Sequence, residues 1–171
     1  HAMDNGVQLF LESRVSGIRY DDGVYEIETD KGVIRAGSVI NAAGVFADKI
    51  ARMVGDDSFE ITPRRGEYLL LDKECGGLVT HTIFKVPTKM GKGVLVSPTV
   101  DGNIILGPTS EDILDKEDTA TTREGISKIL ASAVECVDNI PFGSVITSFT
   151  GLRATTGNGD FLITNPKPNF I

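Results

Sequence analysis

The sequence predicts an α+β protein: a mixed, mainly antiparallel β-sheet with one helix packed on a face, preceded by a strip of a second unit. Three observations predict it. After about residue 58 come strand-like runs broken by Gly and Pro. One amphipathic stretch, residues 121–137, follows them and needs a sheet to bury its stripe. Before them, residues 39–54 read as an apolar strand, a small-residue turn and a short helix. The expected division is residues 4–57 and 58–171.

The first unit opens with "VQLFLESRVSGIRY" (residues 7–20), which alternates apolar and polar positions until Asp21-Asp22-Gly23 turns the chain. "VYEIET" alternates again, Asp30-Lys31-Gly32 makes a second turn, and "VIRA" returns, giving a three-stranded meander too small to stand alone. In "SVINAAG", Val39-Ile40 is apolar without alternation, as a strand buried on both faces requires. Residues 47–54 read as a helix with Ile50, Ala51 and Val54 on one face.

In the second unit the predicted strands are "FEITPRRGEYLLLD", "HTIFKVP", "GVLVSPTV" and "NIILGPT". Asp101-Gly102 marks a hairpin between the last two. Residues 111–118 form an acidic stretch, expected as a solvated connection. Thr121-Thr122-Arg123-Glu124 fits a capping box, and Ile126, Ile129, Leu130, Ala133, Val134 and Val137 follow at helical spacing. Pro141 blocks continuation. "SVITSFTGLRAT" and "FLIT" are predicted as closing strands.

With 171 residues, 40% of them hydrophobic and 24% charged, the chain suits a soluble globular protein of one domain plus a piece of another. A net charge of −7 and a pI near 4.8 argue against nucleic-acid binding, so an anionic ligand needs a local cation. No apolar run approaches the ~18 residues of a membrane span, and no signal peptide is visible; the expected location is cytoplasmic. His1-Ala2-Met3 reads as a cloning remnant. Cys75 and Cys136 form no C-x-x-C, and with His81 as the one remaining histidine neither a metal site nor a His-based hydrolase is expected.

Three places remain as candidates for chemistry. At Ala42-Ala43-Gly44, side chains of a methyl or less let backbone approach a bulky, phosphate-bearing ligand, or simply allow tight strand–helix packing. In "PRRGEY", Arg64 and Arg65 face opposite ways on a strand, so at least one, Arg64 by preference, takes a surface role. Tyr68 ends that run and can place a hydroxyl in a cavity or pack in the core. In "GLRAT", Arg153 stands among small residues, which suits bidentate capture of a carboxylate or phosphate; the alternative is a structural ion pair, with Asp160 as partner.

Together "VINAAGVFAD", "PRRGEYLLLD", "VPTKMGKGVLVSPTVDGNIILGPT" and "FTGLRATTGNGDFLI" resemble successive segments of FAD-dependent oxidoreductases. The group is that of glycerol-3-phosphate dehydrogenase and L-2-hydroxyglutarate oxidase, within the D-amino-acid-oxidase-like superfamily. The resemblance runs over roughly residues 8–170 and implies a central fragment: a strip of a Rossmann-like FAD-binding domain and a substrate-binding domain. It implies that Arg153 binds the substrate's anionic group, and that Tyr68 faces the substrate as a contact and candidate catalytic residue. It implies further that Ala43 and Gly44 lie against the cofactor and that the strand at Val15 meets the adenine. His81 falls on a substrate-domain strand and is read as structural. The implied chemistry is oxidation of a small anionic secondary alcohol, a base taking the hydroxyl proton while hydride passes to the flavin. The implied partners of the full-length enzyme are that substrate and a peripheral membrane surface or electron-transfer partner. Neither G-x-G-x-x-G nor the family's C-terminal glycine motif occurs, so FAD is expected in the full-length enzyme and not in this chain. The alternative reading is a stand-alone β-rich module that binds a small anion without redox chemistry.

Overall fold

The structure, a computed structural model, is described for residues 1–87, 93–157 and 160–171. The chain divides into two compact units, residues 1–61 with 156–171, and residues 62–155. The C-terminal segment therefore belongs with the first unit, whereas the sequence assigns it to the second. The cause is burial: Phe170 is 1% exposed in a core with Ile18 and Tyr25, and the Tyr25 hydroxyl donates to the Pro168 carbonyl at 2.6 Å. Burial, more than the neighbouring Tyr20, raises the Tyr25 phenol above its ordinary value.

In that first unit β1 (Val15–Asp21), β2 (Val24–Thr29) and β3 (Gly32–Ala36) form the expected antiparallel meander. The alternating run begins later than predicted: residues 7–14 join no strand, and Leu9, Phe10 and Leu11 are exposed. Val39 makes only an isolated parallel bridge to Phe170, and Ile40 is 76% exposed. Among the described residues no second strand flanks this segment, so the strand buried on both faces is not formed. A turn, Gly44–Phe46, leads into α1 (Ala47–Met53), whose Ala51 is buried and whose Ile50, with Val54 just beyond the helix, packs half-buried against the core. Asp48, also buried, accepts from the Ile61 amide at 3.1 Å and fastens α1 to the end of the unit. Residues 161–164, predicted as a strand, form none; Phe161 and Ile163 face outward with no partner edge.

The second unit is one antiparallel sheet ordered β5–β6–β4–β7, with β8 on the other edge of β4. Its strands are β4 (Thr62–Leu71), β5 (Leu95–Pro98), β6 (Ile104–Gly107), β7 (Glu111–Asp112) and β8 (Val145–Thr155). The Asp101-Gly102 hairpin forms as predicted, with Gly102 at φ 88. "HTIFKVP" contributes only the isolated bridge of Ile83 to Val96. The acidic stretch is more than a solvated connection, since β7 pairs with Arg64 and Arg65. Helix α2 (Arg123–Ala133) is shorter than predicted; Ile129 and Ala133 are fully buried against Leu69, Leu71 and Leu106, while Val134 caps the end half-exposed.

The cap of α2 also differs. Thr122, not Thr121, is the N-cap, its hydroxyl accepting from the Gly125 amide at 3.0 Å. The back-bond expected from Glu124 comes from another element: Glu67 on β4 accepts from the Thr122 amide and hydroxyl, both at 2.8 Å. A carboxylate at this end also complements the helix dipole. Thus a strand residue, fully buried, replaces the local capping box.

Candidate functional site

Strand β4 alternates strictly. Pro63, Arg65, Glu67, Leu69 and Leu71 are buried, and Thr62, Arg64, Gly66, Tyr68 and Leu70 take the opposite face. β8 runs antiparallel beside it with Arg64 opposite Arg153, Gly66 opposite Gly151 and Tyr68 opposite Phe149. On the second face this makes a shallow trough. Its floor is the glycine pair, one end carries two guanidiniums, and the other carries two aromatic rings stacked at 5.1 Å. A side chain at Gly151 would meet nothing within 4 Å, whereas one at Gly66 would meet Pro108 and Thr109, so the floor is open over Gly151 and covered over Gly66. The concavity holds about 210 Å³ and is lined by Arg64, Gly66, Tyr68, Thr109, Gly151 and Arg153, with Arg65 and Leu152 also contributing to its wall.

Arg153 and Tyr68, singled out from the sequence, thus share one pocket. Arg153 is exposed and makes no ion pair or hydrogen bond among the described residues, so the structural ion pair with Asp160 is not formed. The Tyr68 hydroxyl likewise has no hydrogen-bond partner there. Arg64, expected on the surface, lines the pocket; its Nε and Nη2 donate to Asp112 at 2.6 and 2.9 Å.

Arg65 is different. On the buried face it donates to Glu111 at 2.9 Å and Asp118 at 3.0 Å, and its Nε, 3.6 Å from Glu67, lacks a hydrogen bond. These bonds raise the Arg65 guanidinium and hold the Glu111 carboxyl below its ordinary value. Arg65 is therefore spent on structure. Sequence reasoning missed Glu67, Phe149 and the glycine floor. Alternation alone would have put Arg64 with Tyr68, but Phe149 and Gly151 needed the register of β8, which sequence does not encode locally.

His81 is exposed, its Nδ1 2.9 Å from the Thr80 hydroxyl, and it neither packs in a core nor lines the pocket. Cys75 and Cys136 are free thiols. Among the described residues no cluster of His, Cys, Asp or Glu could hold a metal ion, and no helix is long and apolar enough to cross a membrane.

In the first unit Ala42, Ala43 and Gly44 are exposed, and Gly44 takes φ +57 with nothing within 4 Å of the place a methyl group would occupy. The left-handed backbone favours Gly there, and the open space above suits the close approach of a large ligand. Val15 sits at the start of β1, half-buried against the core, where a β-bulge follows. These residues fit one margin of a flavin site; a phosphate-cradling glycine loop is not among them.

The chain matches the FAD dependent oxidoreductase (DAO) family over residues 1–171, and it belongs to that family. Within it, the similarity is to the glycerol-3-phosphate group. Glycerol 3-phosphate dehydrogenase of Caloramator mitchellensis is 47% identical over 163 residues, covering 95% of this chain and 34% of the relative. The solved structure of dithionite-reduced L-α-glycerophosphate oxidase from Mycoplasma pneumoniae with FAD bound superposes with a TM-score of 0.88 at 32% identity, covering 99% of this chain and 46% of that one. L-2-hydroxyglutarate dehydrogenase of Escherichia coli (strain K12) is 30% identical over 109 residues, 61% of this chain and 26% of the relative. The chain thus spans less than half the length of these relatives.

Proposed function

We propose that this chain is the central part of a flavin-dependent enzyme that oxidises a small anionic secondary alcohol, glycerol 3-phosphate in the first instance. The observation that carries the reading is Arg153: an unpaired guanidinium in a concavity that Tyr68 also lines. Arg153 binds the anionic group by a two-point contact. The open space over Gly151 gives a short carbon chain room against the sheet, and Tyr68, stacked on Phe149, presents its hydroxyl to the reacting end. Val15, Ala43 and Gly44 border the flavin, which when bound supplies the hydride acceptor. The match to glycerol 3-phosphate dehydrogenase, 47% identical over 95% of this chain, against 30% over 61% for the Escherichia coli L-2-hydroxyglutarate dehydrogenase, supports the phosphorylated substrate.

The test is a substrate panel on the full-length enzyme, mixed anaerobically while the flavin absorbance is followed. Glycerol 3-phosphate should bleach it and 2-hydroxyglutarate should not. Arg153→Ala should lower kcat/KM by about 100-fold, the loss of a charge-assisted pair worth roughly 2–3 kcal/mol. An unchanged kcat/KM would remove Arg153 from the site.

A further inference from the structure

Across β7, β4 and β8 the register places three charges in one row, Asp112 opposite Arg64 and Arg64 opposite Arg153. Two guanidiniums directly opposite each other on one face repel. Asp112 offsets this by taking the Nε–Nη2 edge of Arg64. A guanidinium carries five N–H donors in a planar fork, so one edge bound to a carboxylate leaves the Nη1 hydrogens and one on Nη2. No described residue accepts from these, and Arg64 lines the pocket.

Resting on the assignment of Arg153 as an anion anchor, we infer that Arg64 is a second ligand of the same anion, and that the two arginines form a clamp selective for phosphate over carboxylate. The selectivity follows from acceptor count. A carboxylate has two oxygens in one plane, and a single guanidinium edge from Arg153 satisfies it. A phosphate monoester has three terminal oxygens and a charge of about −1.5 to −2 near neutral pH, so a second edge still finds an acceptor. Arg65 cannot serve, because its Nη atoms are held by Glu111 and Asp118.

The test uses the 171-residue chain with inorganic phosphate and acetate as probes, titrated near neutral pH while arginine Nε–H resonances are followed by NMR. Wild type should bind phosphate more tightly than acetate. Arg64→Ala should weaken phosphate by about ten-fold and acetate by less than about two-fold. Arg64→Lys should recover only part of the loss, since an ammonium has no planar edge. Arg153→Ala should abolish both. Arg64 and Asp112 are both solvent-accessible, so loss of their pair in Arg64→Ala should lower the unfolding midpoint only slightly and leave the fold intact, which is measured in parallel. Phosphate binding unchanged in Arg64→Ala but lost in Arg153→Ala would overturn the clamp and leave the anchor standing. Equal weakening of both probes by Arg64→Ala would overturn the selectivity. No effect of Arg153→Ala on either probe, or no binding by wild type, would overturn the anchor and the clamp together.

Discussion

Gly125→Ala should destabilise the second unit, although helix propensity alone says the opposite. In an exposed helix interior Ala is favoured over Gly by about 0.5–1 kcal/mol. At position 125, however, the added methyl would overlap Oε1, Cδ and Oε2 of Glu67. Relief requires the carboxylate to retreat by roughly 1 Å to reach ordinary contact. Glu67 is fully buried and accepts from the Thr122 amide and hydroxyl at 2.8 Å, so the retreat stretches both bonds beyond useful length. Hydrogen bonds to a charged group are worth about 1.5–3 kcal/mol each, giving a loss of roughly 3–6 and a net destabilisation of about 2–5 kcal/mol after the propensity gain. Urea unfolding followed by far-UV circular dichroism measures it. The reasoning makes a sharper demand in a Glu67→Ala background, where the carboxylate is gone and the sign should reverse: Gly125→Ala should then stabilise by up to about 1 kcal/mol. Equal destabilisation in both backgrounds would refute the account, since the penalty would then not come from Glu67.

Two further outcomes are expected. The Glu111 and Asp112 carboxyls are held below their ordinary values of 4.5 and 3.8, first by hydrogen bonds from Arg65 and Arg64 respectively. A depressed folded-state value means the contribution is complete above the ordinary value and lost as pH falls through the folded one, so stability should decline on acidification below about pH 4.5. Glu111→Gln with Asp112→Asn should show a shallower decline in urea midpoint against pH, and parallel curves would count against these pairs. The purified chain should be colourless, because no glycine loop for the pyrophosphate is present in the sequence; stoichiometric bound flavin, read from its visible absorbance, would overturn that reasoning.

Local rules carried much of the fold. Asp-Gly turns, the 3.6-residue stripe of α2 and the two-residue alternation of β4 are all short-range signals, and the meander, the hairpin and the helix followed from them. What failed depended on partners distant in sequence. Val39-Ile40 and residues 161–164 have strand-like composition, yet a strand needs a neighbour, and Ile40 and Ile163 remain exposed. The cap of α2 could not be read locally, because its acceptor lies 55 residues away on β4. The same limit held at the site: Tyr68 and Arg153 were legible as residue types suited to a pocket, whereas their convergence required the β4–β8 register.

That register explains how one short segment holds two roles without conflict. In "PRRGEY" every second side chain turns inward, and the inward set (Arg65, Glu67) closes a network with Glu111, Asp118 and Thr122 that ties β7, α2 and the sheet together. The outward set (Arg64, Gly66, Tyr68) forms one bank of the pocket, and β8 supplies the other with Arg153, Gly151 and Phe149. Counting donors then separates the three arginines further than the sequence does. Arg65 has both Nη atoms committed to carboxylates; Arg64 has one edge committed; Arg153 has none. Stability variants should therefore cluster at odd positions of β4 and ligand variants at even ones. Arg65→Ala is the strongest case on the odd side, since it strands the fully buried Glu67 beside two carboxylates that have lost their cation. Breaking one side of a buried charge pair costs about 3–5 kcal/mol, far more than removing a half-exposed arginine such as Arg64.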